Sequence, residues 1–112
     1  MSTGSHKLIL LIAPVLSFSI LEGAYAQPSG SIDAGYRLAK ASCAQCHGVD
    51  RKGYSANPAA PAFEDIANVP GMTRAALTVA MRTSHRSMPN LVIEGRDAAD
   101  IIAYILSLKE KQ

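Results

Sequence analysis

The run Cys43-Ala44-Gln45-Cys46-His47 constrains this chain more than any other stretch, because it holds both of the chain's cysteines. On a helical turn, residues three and four apart share one face, so Cys43, Cys46 and His47 project to the same side. Two thiols and an imidazole so placed suit covalent capture of a haem. The thiols add to the vinyl groups at one edge of the macrocycle, and the imidazole reaches the iron. The same residues could instead form a redox dithiol, a zinc site or a structural disulfide. A thioredoxin-like dithiol belongs after a β-branched strand in an α/β pattern, and no such strand precedes Cys43. Zinc needs four ligands, and beyond His47 only His85 remains as a histidine after residue 26. Haem attachment is the reading that uses all three side chains.

The N-terminus reads as an export signal. Leu8 to Leu21 is almost wholly apolar, with Lys7 before it and Ala24-Tyr25-Ala26, an A-x-A cleavage pattern, after it. At fourteen residues the apolar run is short of the roughly 20 that span a bilayer, and Pro14 interrupts it. An uncleaved anchor is the minority reading. The expected organisation is a signal peptide over 1–26, a Pro/Gly/Ser linker over 27–32 and a domain over 33–112. Export would place the protein in the periplasm, where thiol chemistry of this kind is permitted. Cleavage removes Lys7 and Glu22 together, so the net charge stays at +2, and two haem propionates would bring it to about zero. Such a balance argues against nucleic acid as a partner. So small a domain has a marginal apolar core, and a haem plate would complete it.

The remainder of the chain reads as three to five helices with no sheet. Ser31 or Asp33 can cap a first helix running to Cys43, with Gly35 and Ala39 forming a smooth face for a partner helix. Gly48 to Gly53 is a turn. The loop Asn57 to Phe63 is rich in Pro and Ala, and four apolar side chains in it should pack on something. A short helix is expected over Phe63 to Asn68, ended by Pro70-Gly71. Thr73 caps a helix to Thr83 with Leu77, Ala80 and Met81 on one face. The last helix spans Gly95 to Lys109, with Ala98, Ile101, Ile102, Ile105 and Leu108 at helical spacing; its start has no good capping residue.

A haem iron bound by one histidine keeps a sixth position, and its ligand decides the chemistry. Met81 sits on an apolar helix face and suits core packing, while Met72 lies in a turn. Met88 precedes Pro89, which holds it extended, so its thioether can be turned inward. His85 is the rival ligand. Basic residues Arg51, Lys52, Arg82, His85 and Arg86 flank the two loops expected beside the haem and suggest a docking face.

The order of helix, Cys43-x-x-Cys46-His47, Pro61 loop, Met88-Pro89-Asn90 and the C-terminal Ala103-Tyr104-Ile105-Leu106-Ser107-Leu108 resembles the small class I monohaem c-type cytochromes over residues 31–109. The resemblance implies an all-α, cytochrome c-like fold around one haem c, with thioethers at Cys43 and Cys46 and axial iron ligands His47 and Met88. It also implies that the Pro61 carbonyl orients the His47 ring, and that Gly35 crosses Ile101 and Tyr104. Ala39 departs from the family, where an aromatic residue is common, so that crossing should be smaller here. The implied activity is electron transfer between Fe(II) and Fe(III) rather than catalysis. Expected partners are redox proteins: a donor dehydrogenase or reductase and an acceptor oxidase, met by a free monomer or as a subunit of a complex, with no stable membrane span. A haem sensor or peroxidase-like enzyme would instead require Met88 to leave the iron readily.

Overall fold

Four helices occur in the computed structural model, which describes residues 29–83, 88, 91–93 and 95–111 together with Met1: α1 (Ile32–Ser42), α2 (Phe63–Asn68), α3 (Arg74–Arg82) and α4 (Gly95–Ser107). Strands are absent among the described residues, so the fold is all-α. Met1 apart, the proposed signal and its boundary at residue 26 fall outside these residues, and the boundary at residue 32 falls at the first residue of α1. No helix among the described residues is long and apolar enough to cross a membrane.

Each helix starts for a local reason. At α1 the Ser31 hydroxyl, and not Asp33, accepts the Ala34 N–H at 3.3 Å, satisfying one of the orphan donors of the first turn. At α3 the Thr73 hydroxyl accepts from Ala76 at 3.1 Å. Helix α2 has no side-chain cap, and its acids Glu64 and Asp65 lie in the first turn, where the helix dipole favours negative charge. Gly95 opens α4 with φ +61, a left-handed conformation that glycine adopts without the Cβ penalty. That accounts for a glycine where a capping residue was expected. α4 stops at Ser107, two residues earlier than its apolar pattern suggested.

Helices α1 and α4 cross closely. A Cβ built on Gly35 would lie 2.0 Å from the Asp100 carbonyl oxygen and 2.9 Å from Tyr104 Cβ, so only glycine admits this approach. Ala39, Ile101, Ile102, Tyr104, Ile105 and Leu108 close over the crossing. The contact partner of Gly35 is the Asp100 backbone and Tyr104, where Ile101 and Tyr104 were expected. Asp100 is itself buried, and one carboxylate oxygen accepts the Ser31 N–H at 2.7 Å. An acid in the apolar stripe of α4 thus caps the start of α1 from across the crossing.

Candidate functional site

Helical hydrogen bonding continues for one turn beyond α1. The Cys43 and Ala44 N–H groups both donate to the Ala39 carbonyl, at 2.8 and 3.1 Å, and the Cys46 and His47 N–H groups both donate to the Cys43 carbonyl, at 3.1 and 2.9 Å. The motif therefore occupies a turn appended to the helix rather than the helix itself. One carbonyl gathers the turn, which keeps residues 43, 46 and 47 together. Cys43 is buried in the apolar core cluster, whereas Cys46 and His47 are half-buried. No disulfide joins the two cysteines. Burial pushes the Cys43 thiol up from its ordinary value, away from the readily formed thiolate that a dithiol oxidoreductase requires. Among the described residues no group of three or more His, Cys, Asp or Glu side chains converges as a metal site.

His47 Nδ1 lies 2.7 Å from the Pro61 carbonyl oxygen. A carbonyl only accepts, so Nδ1 carries the proton and Nε2 presents its lone pair on the opposite side of the ring. The Phe63 ring packs 5.4 Å from the imidazole, centroid to centroid. The loop supplying Pro61 is laced back to the motif: Asn57 N–H to Cys46 O at 3.1 Å, Phe63 N–H to Gly48 O at 2.8 Å, and Gly48 N–H to the Ser55 hydroxyl at 2.9 Å. Of the four apolar loop side chains expected to pack, Phe63 is buried, Ala60 and Ala62 are half-buried and Ala59 is exposed.

A second set of bonds ties the same loop to the helix crossing. The buried Tyr104 hydroxyl donates to Val49 O at 2.6 Å, and burial, with Asp50 and Tyr36 adding to it, raises its phenol above the usual value, so it stays a donor. The neighbouring Asp50 accepts from the Tyr36 hydroxyl and from Lys40, both at 3.0 Å. Those bonds hold its carboxyl below the usual range. None of this was visible in the sequence, because the partners are far apart along the chain.

Of the three candidate methionines, Met72 and Met81 pack against the core cluster, and Met88 is half-buried in a bend between α3 and α4. His85, Pro89 and Asn90 lie outside the described residues. The donor chemistry fits a haem: two thiols and an imidazole on one turn, a thioether from another segment, and an apolar interior that includes Cys43, Phe63, Leu77, Ile101 and Ile105.

Of the expected docking cations, Arg51, Lys52 and Arg82 fall among the described residues, and all three are exposed. Arg51 donates to Glu64 at 3.3 Å and to the carbonyls of Leu108 and Ser107 at 3.3 and 3.0 Å, so it closes the C-terminal end of α4, where a cation is favourable. The Lys52 backbone, at φ 58, donates to the other Glu64 oxygen at 2.6 Å. Arg82 stands on α3 beside different residues, and Arg86 lies outside the described residues. Arg51 is a structural clamp because the chain end it meets offers unpaired carbonyls.

A helical domain with no strand among its described residues, a Cys-x-x-Cys-His turn and a proline-oriented imidazole define a small c-type cytochrome. Residues 30–105 match the family described as cytochrome c oxidase, cbb3-type, subunit III, and the chain belongs to that family. It is also 35% identical over 79 residues to cytochrome c-552 of Bradyrhizobium diazoefficiens, across 69% of this chain and 76% of that protein. No solved structure matches it significantly. The protein is thus a haem-binding electron-transfer protein whose partners are redox proteins or the other members of a redox complex.

Proposed function

We propose that the chain is an exported, periplasmic electron carrier, not an enzyme. In this reading a haem c is bound covalently through Cys43 and Cys46 and its iron is held between His47 and Met88. Residues 1–26 would be removed, 27–32 would form a linker, and 33–112 would be the working domain. The observation that carries the reading is the 2.7 Å bond from His47 Nδ1 to Pro61 O, which directs the Nε2 lone pair away from the Pro61 loop and fixes the ring. When bound, the haem supplies the Fe(II)/Fe(III) couple. The chain's residues hold it rigidly: His47 and Met88 would saturate the iron, and a thioether raises the potential by favouring the ferrous state. Filling both axial positions leaves none for a substrate, which is why a carrier rather than an enzyme follows.

The test is the visible spectrum and acid–acetone extraction of protein matured with haem-attachment machinery. Haem that resists extraction, in a low-spin ferrous protein that binds carbon monoxide slowly, supports the reading. Extractable haem, or rapid carbon monoxide binding, overturns it in favour of a sensor or enzyme. A second reading, a subunit held permanently on an oxidase or dehydrogenase, is favoured by Leu91 and Val92, which follow Met88 closely and are 40% and 78% exposed. Co-purification with a membrane-bound oxidase at physiological salt would select it.

A further inference from the structure

Helices α3 and α4 carry between them the segment that contains Met88, and they also enclose a groove of about 360 Å³. Its apolar part comes from Met81 of α3, from Ile93 just before α4 and from Ile102 of α4, and its charged part from Arg74 and Arg82 of α3 and Arg96 of α4. Among the described residues that line it, none is acidic. The ion pairs among the described residues, Lys40–Asp50 and Arg51–Glu64, use none of these three arginines. Three arginines on the lining of one groove give it a positive potential that attracts an anion.

The volume and lining narrow the choice of anion. A space of this size takes a small molecule or two to three side chains. Inorganic phosphate would leave the apolar surface unused. A lipid surface is flat and would also meet Asp97, which is exposed one residue beyond Arg96. A peptide carrying carboxylates around an apolar side chain uses both parts: each guanidinium forms paired hydrogen bonds to a carboxylate, and the apolar residue lies on Met81, Ile93 and Ile102. We infer that this groove docks an acidic peptide segment of a protein partner, beside the segment that carries Met88. The inference rests on the groove and not on how the iron is ligated.

The test titrates isotope-labelled, haem-loaded protein with the peptide acetyl-Glu-Glu-Leu-Asp-Glu-amide at low salt and follows amide resonances. Shifts should concentrate at Arg74, Thr78, Arg82, Ile93 and Arg96. Arg74→Gln/Arg96→Gln should weaken binding about tenfold, as expected for two exposed ion pairs. The charge-matched Arg37→Gln/Lys111→Gln should weaken it less than about twofold, since long-range attraction is screened. An unchanged visible spectrum in both variants separates a groove effect from loss of haem. Equal weakening by the two variants, shifts elsewhere on the surface, or tighter binding of inorganic phosphate or of phosphatidylglycerol vesicles than of the peptide would overturn the assignment.

Discussion

The α1–α4 crossing and the α2–α3–Met88 side are built on different principles. Helix α4 buries six consecutive residues, Asp100 to Ile105, and crosses α1 where Gly35 and Ala39 are buried. Its polar groups are paired within the protein: Asp100 with Ser31, Tyr104 with Val49. On the other side, α2 buries Phe63 and Ala67, and α3 buries only Leu77, while Val79 is 66% exposed. A nine-residue helix with one buried side chain is not stable by itself. The crossing is therefore closed by protein alone, and in the proposed reading a bound haem would cover apolar surface on the facing side. The lesson is that a small cytochrome can assign its chain-to-chain packing to one helix pair and leave the rest to be organised by haem.

Removing the haem should separate the two regions most strongly. In Cys43→Ser/Cys46→Ser the amides of α3 should lose nearly all hydrogen-exchange protection, and the domain should melt far below wild type. If α3 stays as protected as α4, the contrast between the regions fails. The converse change is Gly35→Ala, which puts a methyl 2.0 Å from the Asp100 backbone oxygen. It should destabilise the haem-loaded protein by about 3 kcal/mol, read by thermal unfolding, while leaving the haem spectrum intact in the fraction that folds.

Met88→Ala acts on the other side alone. The reduction potential should fall, within the roughly 0.8 V that axial ligation spans, and carbon monoxide binding should accelerate, with little change in α1–α4 protection. Met81→Leu is the companion substitution and should cost under about 1.5 kcal/mol without altering the spectrum. Tyr104→Phe removes the bond to Val49 O and leaves a buried acceptor, which should cost about 1–2 kcal/mol.

The smallest effect concerns Lys40 and Asp50 at the surface. Asp50 is depressed from 3.8 by its hydrogen bonds to Lys40 and Tyr36, and Lys40 is raised from 10.5 by the same carboxylate. A depressed carboxyl contributes stability that is present above its unfolded value and lost as pH falls through its folded one. A raised amine contributes stability that is present below its unfolded value and lost as pH rises through its folded one. The melting-temperature gap between wild type and Lys40→Met should therefore be small at neutral pH, close as acid drops below 3.8, and close again in alkali above 10.5. A gap independent of pH would show that the pair contributes only packing.

Much of this protein was legible without coordinates where the signal is local. The Cys43–His47 spacing, the Ser31 and Thr73 caps, the Phe63–Asn68 helix and the apolar stripe of α4 all depend on residues a few positions apart, and helix geometry fixes such neighbours. The spacing also pointed to haem, and the smooth pair Gly35 and Ala39 announced a close helix crossing. What only the tertiary structure decided involves partners tens of residues apart. Asp100 reaches Ser31, Arg51 closes the end of α4, Tyr104 holds Val49, and three separate arginines share one groove. A charge in a sequence is only a charge. Whether it becomes a cap, a clamp or a docking group depends on which unpaired carbonyl, N–H or guanidinium the folded chain brings within about 3 Å of it, and no local pattern encodes that.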